Sequence, residues 1–159
     1  MTTDHEPRKA MTANRGAQAA DLRLGAIRTG SLGTLIILVV QYALGVAESL
    51  YGTMPSAQHS IGLFSGGTLL AVHGVLGVLL TLGAIATAVR SVRARHRPLA
   101  LSSVTAMLAL IAATLTGFAF LDKGQDGASL GMALAAGLAM ICYGFNIWVL
   151  GHAREPGQA

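Results

Sequence analysis

The sequence predicts an all-α integral membrane protein, an up-down bundle of four transmembrane helices. Three observations predict this class: 53% of the 159 residues are hydrophobic, only 11% are charged, and the apolar residues are grouped in four long blocks. A soluble domain carries about 25% charged residues, so this chain has too few charges for a water-facing surface of its size. At about 1.5 Å rise per residue, each block is long enough to cross a hydrocarbon core about 30 Å thick.

The N-terminal segment, residues 1–29, is polar and rich in Ala, Arg and Thr. Its first part has the composition of a mobile chain. Between Gln18 and Ile27 a weak helical pattern places Leu22, Leu24 and Ile27 on one side, which is typical of a helix that lies along a membrane surface. A mobile tail is the alternative interpretation of the whole segment.

The first predicted span covers residues 30–51. Its residues Gln41, Gly45 and Glu48 follow one another at spacings of four and then three, which places them on one helical face. Because an unpartnered polar group in hydrocarbon costs several kcal/mol, we expect this face to point into the bundle.

The remaining spans complete a bundle of residues 30–151, and a polar tail follows at 152–159. The spans are predicted at residues 66–89, 99–121 and 127–150. The second span contains a single ionisable side chain, His73, before the basic run that ends it. Pro98 precedes the third span, where its missing N–H is tolerated in the first helical turn.

Basic residues predict the orientation of the bundle. They lie before the first span, between the second and third spans, and in the tail, and the two other loops contain only Lys123. The basic residues in the N-terminal segment, the loop between the second and third spans, and the tail are Arg8, Lys9, Arg15, Arg23, Arg28, Arg90, Arg93, Arg95, Arg97 and Arg154. The positive-inside rule then places both termini and the loop between the second and third spans in the cytoplasm. Because no aromatic residues are interleaved with these charges, we expect no nucleic-acid partner.

Small residues recur at four-residue spacing on the third and fourth spans. The two ridges are Thr105, Ala109, Ala113 and Gly117, and Gly127, Gly131, Ala135 and Ala139. Such ridges let helix backbones approach closely. They serve packing within the bundle or a homodimer, and the pattern leaves both interpretations open.

Ionisable residues gather near the outer side of the predicted bundle. Glu48 and His73 differ in predicted depth by only about 6 Å, Asp122 lies at the outer boundary, and His59 lies in the outer loop. Buried ionisable residues in a membrane are functional-site hypotheses by default. His73 is therefore a candidate haem or metal ligand with Glu48 as its hydrogen-bonding partner, and His59 and Asp122 are weaker metal-ligand candidates.

Alternatives stay open at this site. His73 could instead form an internal hydrogen bond to Glu48, Gln41 or a backbone carbonyl and have no further role. A haem would need a second axial ligand, for which Met132 and Met140 offer thioethers, although methionine also serves as packing. In the inner half, Tyr143 and Asn146 are predicted to form hydrogen bonds between helices.

Four segments carry a resemblance to a known family. They are Gln41–Gly45, Leu50–Pro55, Leu70–Gly77 and Gly117–Asp122, whose sequences read QYALG, LYGTMP, LAVHGVLG and GFAFLD. The chain resembles uncharacterised small four-span membrane proteins of high-GC Gram-positive bacteria over residues 35–150. Members of that family often have a His-Pro pair in the outer loop, whereas here His59 is followed by Ser60.

The first two spans also look like one four-helix half of haem A synthase-type proteins, in which a histidine-bearing span follows a Gln-rich one. In that fold the fourth span supplies a second histidine, and this chain has none there. The resemblance implies haem b as the cofactor to consider.

We therefore predict a non-catalytic accessory or structural protein of the cytoplasmic membrane, self-associating or bound to a larger membrane complex, with no catalytic residues assigned. The alternative is a haem- or metal-binding redox protein that uses His73 as ligand. Proton-coupled transport through Glu48 and His73 is a third interpretation, which four short spans without an internal repeat do not favour.

Overall fold

Four long α-helices make up the computed structural model, which describes residues 6–51, 67–123 and 126–152. They are α1 (Glu6–Tyr51), α2 (Thr68–Arg93), α3 (Arg97–Lys123) and α4 (Asp126–His152). No strand occurs within these three ranges. The prediction of an all-α chain with four long helices is confirmed.

The helix α1 begins much earlier than the predicted first span. It is continuous from Glu6, so residues 6–29 are helical, and the surface helix expected from Gln18 is the middle of a longer one. Ala, Arg, Met and Leu in this stretch favour helix, and Pro7 lies in the first turn, where it is tolerated. Composition marked the change from polar to apolar sequence, and no break in the backbone accompanies that change.

The helices α3 and α4 extend beyond their predicted spans at both ends, and α2 begins two residues later than predicted but continues past residue 89 to Arg93. The apolar windows ended before the helical hydrogen bonding does. The connection between α2 and α3 is short, and we call the end of the bundle that carries it the inner end. Arg95 adopts a left-handed conformation there, with φ of 56°, and its N–H donates to the Val92 carbonyl at 3.1 Å. The left-handed residue and this hydrogen bond end α2 in a C-terminal cap, a position that glycine usually occupies.

Sequential helices are antiparallel, because residues late in one helix contact residues early in the next. Between α2 and α3, the Thr81 and Thr114 hydroxyls are 3.0 Å apart and those of Ser91 and Ser103 are 2.9 Å apart. The helices form a ring in chain order, and α4 closes it by packing against α1. The bundle is therefore up-down, as predicted.

The main core cluster draws side chains from all four helices. Leu38, Leu80, Leu110 and Tyr143 belong to it, together with Ala and Cys side chains. Cys142 is buried in this cluster, as expected of a small packing group. A smaller cluster of Ile27, Leu99 and Leu150 closes the inner end.

Both ridges of small residues contribute to the most extensive of the helix interfaces, α3 with α4. A Cβ built on Gly117 would lie 3.3 Å from the Met132 sulfur, and one on Gly131 would lie 3.5 Å from Thr116. Ala109, Ala113 and Ala139 are buried as well. Thr105 is exposed, so the first ridge contacts α4 only from Ala109 outward.

By length and composition, all four helices are long and apolar enough to cross a membrane. Their outward surfaces carry many exposed Leu, Ile and Val side chains. An apolar surface of this extent is unusual for a protein surrounded by water.

Candidate functional site

A cavity of about 340 Å³ lies in the outer half of the bundle and is lined by all four helices. Its walls are mainly apolar, with side chains such as Leu80, Leu110 and Phe120. The polar residues on its wall include Gln41, Glu48, His73 and Thr114. Ligand-binding pockets typically have volumes of about 300 to 1,000 Å³, apolar walls and a few polar groups, so this cavity has their size and character.

The face of α1 predicted to point inward does so. Gln41, Gly45 and Glu48 all line the cavity. The Gln41 amide nitrogen donates to the backbone carbonyl of His73 on α2. The hydrogen bond from Gln41 therefore reaches the histidine backbone and leaves the imidazole free for other contacts.

Two glycines let the polar side chains of α1 and α2 interlock. A Cβ built on Gly45 would lie 3.1 Å from Cε1 of the His73 ring, and one built on Gly77 would lie 3.2 Å from the Gln41 amide nitrogen. Both distances are shorter than ordinary van der Waals contact. Each glycine on one helix thus makes room for the polar side chain of the other.

Two polar atoms at this junction are buried and have no hydrogen-bond partner among the described residues: Gln41 Oε1 and His73 Nδ1. A carbonyl only accepts, so the bond to the His73 carbonyl fixes which end of the Gln41 amide is nitrogen. Leaving such an atom unpaired costs about 1–3 kcal/mol, and native structures contain few of them. A polar group from outside the chain that bonded to these two atoms would remove this cost.

The acidic candidates are separated by the structure. Glu48 is half-buried on the cavity wall, near the outer end of α1, whereas Asp122 is exposed and does not line the cavity. His59 lies outside the described residues. Among those that are described, no three His, Cys, Asp or Glu side chains are grouped in a way that could hold a metal ion.

The two methionine candidates also differ in position. Met132 lines the cavity from α4, while Met140 packs against the main core cluster. His73 and Met132 thus come from α2 and α4, which are opposite helices in the ring. Each side chain packs against a glycine of the neighbouring helix, His73 against Gly45 and Met132 against Gly117.

A second polar feature lies in the inner half of the bundle. The Asn146 amide donates to the Ser103 hydroxyl at 3.0 Å, and Ser103 in turn pairs with Ser91 at 2.9 Å, which connects α4, α3 and α2. The prediction of an interhelical bond from Asn146 is confirmed. Tyr143 is fully buried, and its hydroxyl has no partner in the described part of the chain, so the bond predicted for it is not formed.

Sequence reasoning missed the serines of this inner layer. Ser31, Ser91 and Ser103 are all fully buried, and the Ser31 hydroxyl has no partner among the described side chains and backbone groups. Serine is common in membrane helices and no spacing rule singled these out. The bonds that join Ser91 to Ser103 and Ser103 to Asn146 depend on the register between helices, which the sequence of one helix does not contain.

Comparisons of the chain with known protein families, curated proteins and solved structures give no match. The resemblances drawn from the sequence segments therefore stay predictions. What can be said about function rests on the geometry of the bundle.

Proposed function

We propose that this chain is an integral protein of the bacterial cytoplasmic membrane, with four membrane-spanning helices and both termini on the cytoplasmic side. Four sufficiently long and apolar helices support this, as does the apolar outer surface of the bundle. The exposed arginines at the inner end, among them Arg90 and Arg97, support the orientation.

Membrane fractionation and reporter fusions test this part of the proposal. A cytoplasm-active reporter fused after Ala159 is expected to be active, and a periplasm-active reporter at the same place to be silent. The reverse pattern, or a chain recovered in the soluble fraction, would overturn the proposed topology.

Within that membrane the chain is a non-catalytic accessory protein that binds a small, mainly apolar molecule in the outer cavity. The observation that carries this is the junction of Gln41 and His73, which both line a cavity of about 340 Å³ and each hold a buried polar atom without a partner among the described residues. A molecule in this cavity would supply packing contacts that the lining residues lack when the cavity is empty.

The unpaired atoms indicate the chemistry of the ligand. Gln41 Oε1 needs a hydrogen-bond donor, and the His73 imidazole can donate or accept. The terminal torsions of both side chains are broad, so modest rotations can present these atoms to the cavity. A hydroxyl group satisfies both side chains, which favours an apolar alcohol or phenol over a ligand that carries only carbonyl groups.

Mass spectrometry of molecules that copurify with the protein tests binding. Ala133 lines the cavity, so Ala133→Phe should fill it, whereas Ala119→Phe places the same bulk on an exposed position outside the cavity. We expect one class of small molecule to copurify with the wild type and the Ala119 variant and to be lost from the Ala133 variant. Equal retention by all three proteins would contradict the proposal.

A second candidate function is haem binding for electron transfer, with haem b as the cofactor. It is favoured by one observation: the His73 imidazole and the Met132 thioether line the same cavity from opposite helices. An imidazole and a thioether are a known pair of axial haem ligands. Glu48, on the same wall, would then act on the imidazole through a hydrogen bond.

A reduced-minus-oxidised absorption spectrum of the protein from haem-sufficient cells separates this function from the first. Loss of a Soret band in His73→Ala and a shifted spectrum in Met132→Leu are expected, with Met140→Leu unchanged because Met140 lies in the core. A colourless wild-type protein would rule this function out and leave the first intact.

A further inference from the structure

The interface between α1 and α2 carries a second feature, closer to the inner end than the cavity and made of residues that do not line it. Gly30 on α1 meets Thr87 on α2, since a Cβ built on Gly30 would lie 3.8 Å from the Thr87 hydroxyl. This contact fixes which face of each helix is turned toward the other. Residues three, four or seven positions away share these faces.

Toward the outer end, both faces present open space. Gly33 lies three residues after Gly30, and Gly83 lies four residues before Thr87. A Cβ built on either would meet no atom within 4 Å. The two glycines leave an open strip along the interface, and it is bordered by the exposed side chains of Ile37 and Leu79.

Toward the inner end, both faces end in arginine. Arg23 lies seven residues before Gly30, and Arg90 lies three residues after Thr87. Both side chains are exposed. Because the helices are antiparallel, the two guanidinium groups flank the inner end of the same strip, about 6 Å apart in depth.

We infer that this strip binds one anionic glycerophospholipid, with its phosphate held by Arg23 and Arg90 and one acyl chain lying over Gly33 and Gly83. Guanidinium groups hold phosphate oxygens with paired hydrogen bonds, and basic pockets between membrane helices on the cytoplasmic side are where anionic headgroups bind. The apolar strip continues from that pocket in the direction in which a lipid tail extends. This inference rests on the proposed membrane insertion and is independent of the outer cavity.

Arg28 provides a matched control on the same helix. It is also an exposed arginine near the inner end, but it lies two residues from Gly30 and five from Arg23, which turns it away from the shared face. If the arginines acted only as a diffuse positive surface, removing Arg28 would have the same effect as removing Arg23.

The experiment uses the full chain in lipid discs that contain phosphatidylglycerol and phosphatidylcholine in equal amounts. Native mass spectrometry then counts the lipids that stay bound after release. We expect one phosphatidylglycerol to be retained in preference to phosphatidylcholine. Arg23→Gln and Arg90→Gln should each weaken that retention about fivefold, and Arg28→Gln should leave it unchanged.

A second pair of variants tests the strip for the acyl chain. Gly83→Leu should abolish retention without loss of helicity, because the side chain enters open space, and Gly137→Leu, at an equally open position on α4, should not affect it. Equal retention of both lipids, an equal effect of Arg28→Gln, or complete displacement by inorganic phosphate would each overturn the inference. A chain that does not assemble into discs would instead contradict the proposed membrane insertion.

Discussion

Replacing Gly45 with alanine is the most direct test of the junction between α1 and α2. The added methyl carbon would lie 3.1 Å from Cε1 of His73 and 3.7 Å from Nδ1. The first distance is a few tenths of an ångström shorter than carbon atoms tolerate without movement. The imidazole must therefore shift toward the cavity, or α1 and α2 must separate, and overpacking of this kind typically costs about 1–3 kcal/mol.

The control for this change is Gly33→Ala in the same helix, where the added carbon meets no atom within 4 Å. In a helix interior alanine is favoured over glycine by up to about 1 kcal/mol, and both variants receive this gain. The difference between the two variants is thus the cost of the contact with His73. We expect Gly45→Ala to be less stable than Gly33→Ala by about 1–3 kcal/mol.

Equilibrium unfolding in mixed micelles, monitored by helicity, measures this difference. The same samples report on ligand binding, since a displaced imidazole should also reduce the retention of the copurifying molecule. If the two variants differ by less than about 0.5 kcal/mol, the close approach of Gly45 to the imidazole is not a feature of the folded protein, and the account of the junction is wrong.

Three further predictions concern the inner half of the bundle, and each is checked by the same unfolding measurement. Ser103→Ala removes both hydrogen bonds of the inner layer, those to Ser91 and Asn146, and should lower the free energy of unfolding by about 1–3 kcal/mol. Ser91→Ala removes only one of them and should lower it by about 0.6 kcal/mol. Equal effects would contradict the central place of Ser103 in this chain of bonds. Ser31→Ala removes a buried hydroxyl without a described partner and should be neutral or stabilising, so a clear loss of stability would show that the hydroxyl is paired. Arg95→Gly relieves a left-handed conformation and should stabilise by about 1 kcal/mol, and a destabilised variant would refute that reasoning.

Hydropathy predicted the fold well because it measures the property that membrane helices share. The four apolar blocks located α2, α3 and α4 to within a few residues, since an apolar run and a spanning helix have nearly the same length. Hydropathy failed at α1, where the helix continues through a polar sequence back to Glu6. Helix propensity, rather than hydropathy, was the signal available there, and a segment rich in Ala and Arg carries it.

The sequence predicted those features of the site that depend on one helix, but not those that depend on how two helices pack together. Spacing within a single helix was enough to place Gln41, Gly45 and Glu48 together on the cavity wall. Choosing between Met132 and Met140, or pairing Ser91 with Ser103, requires the rotation and register of one helix against another. A single sequence does not contain that information.

The inner half of the bundle is held by hydrogen bonds between helices, whereas the outer half contains the cavity, so we expect ligand binding to affect mainly the outer half. In the inner half, hydrogen bonds link α2, α3 and α4 at one level, and a slip of one residue between helices would break them, so this layer fixes their register. In the outer half, α1 is joined to α2 by the bond from Gln41, and α3 packs closely on α4 at Gly117, while the cavity lies among all four helices. The Thr81 and Thr114 hydroxyls join α2 to α3 at the wall of this cavity. A ligand that contacts both His73 and Met132 would add a second link between the two helix pairs. Its binding should therefore change the outer half and leave the inner half in place.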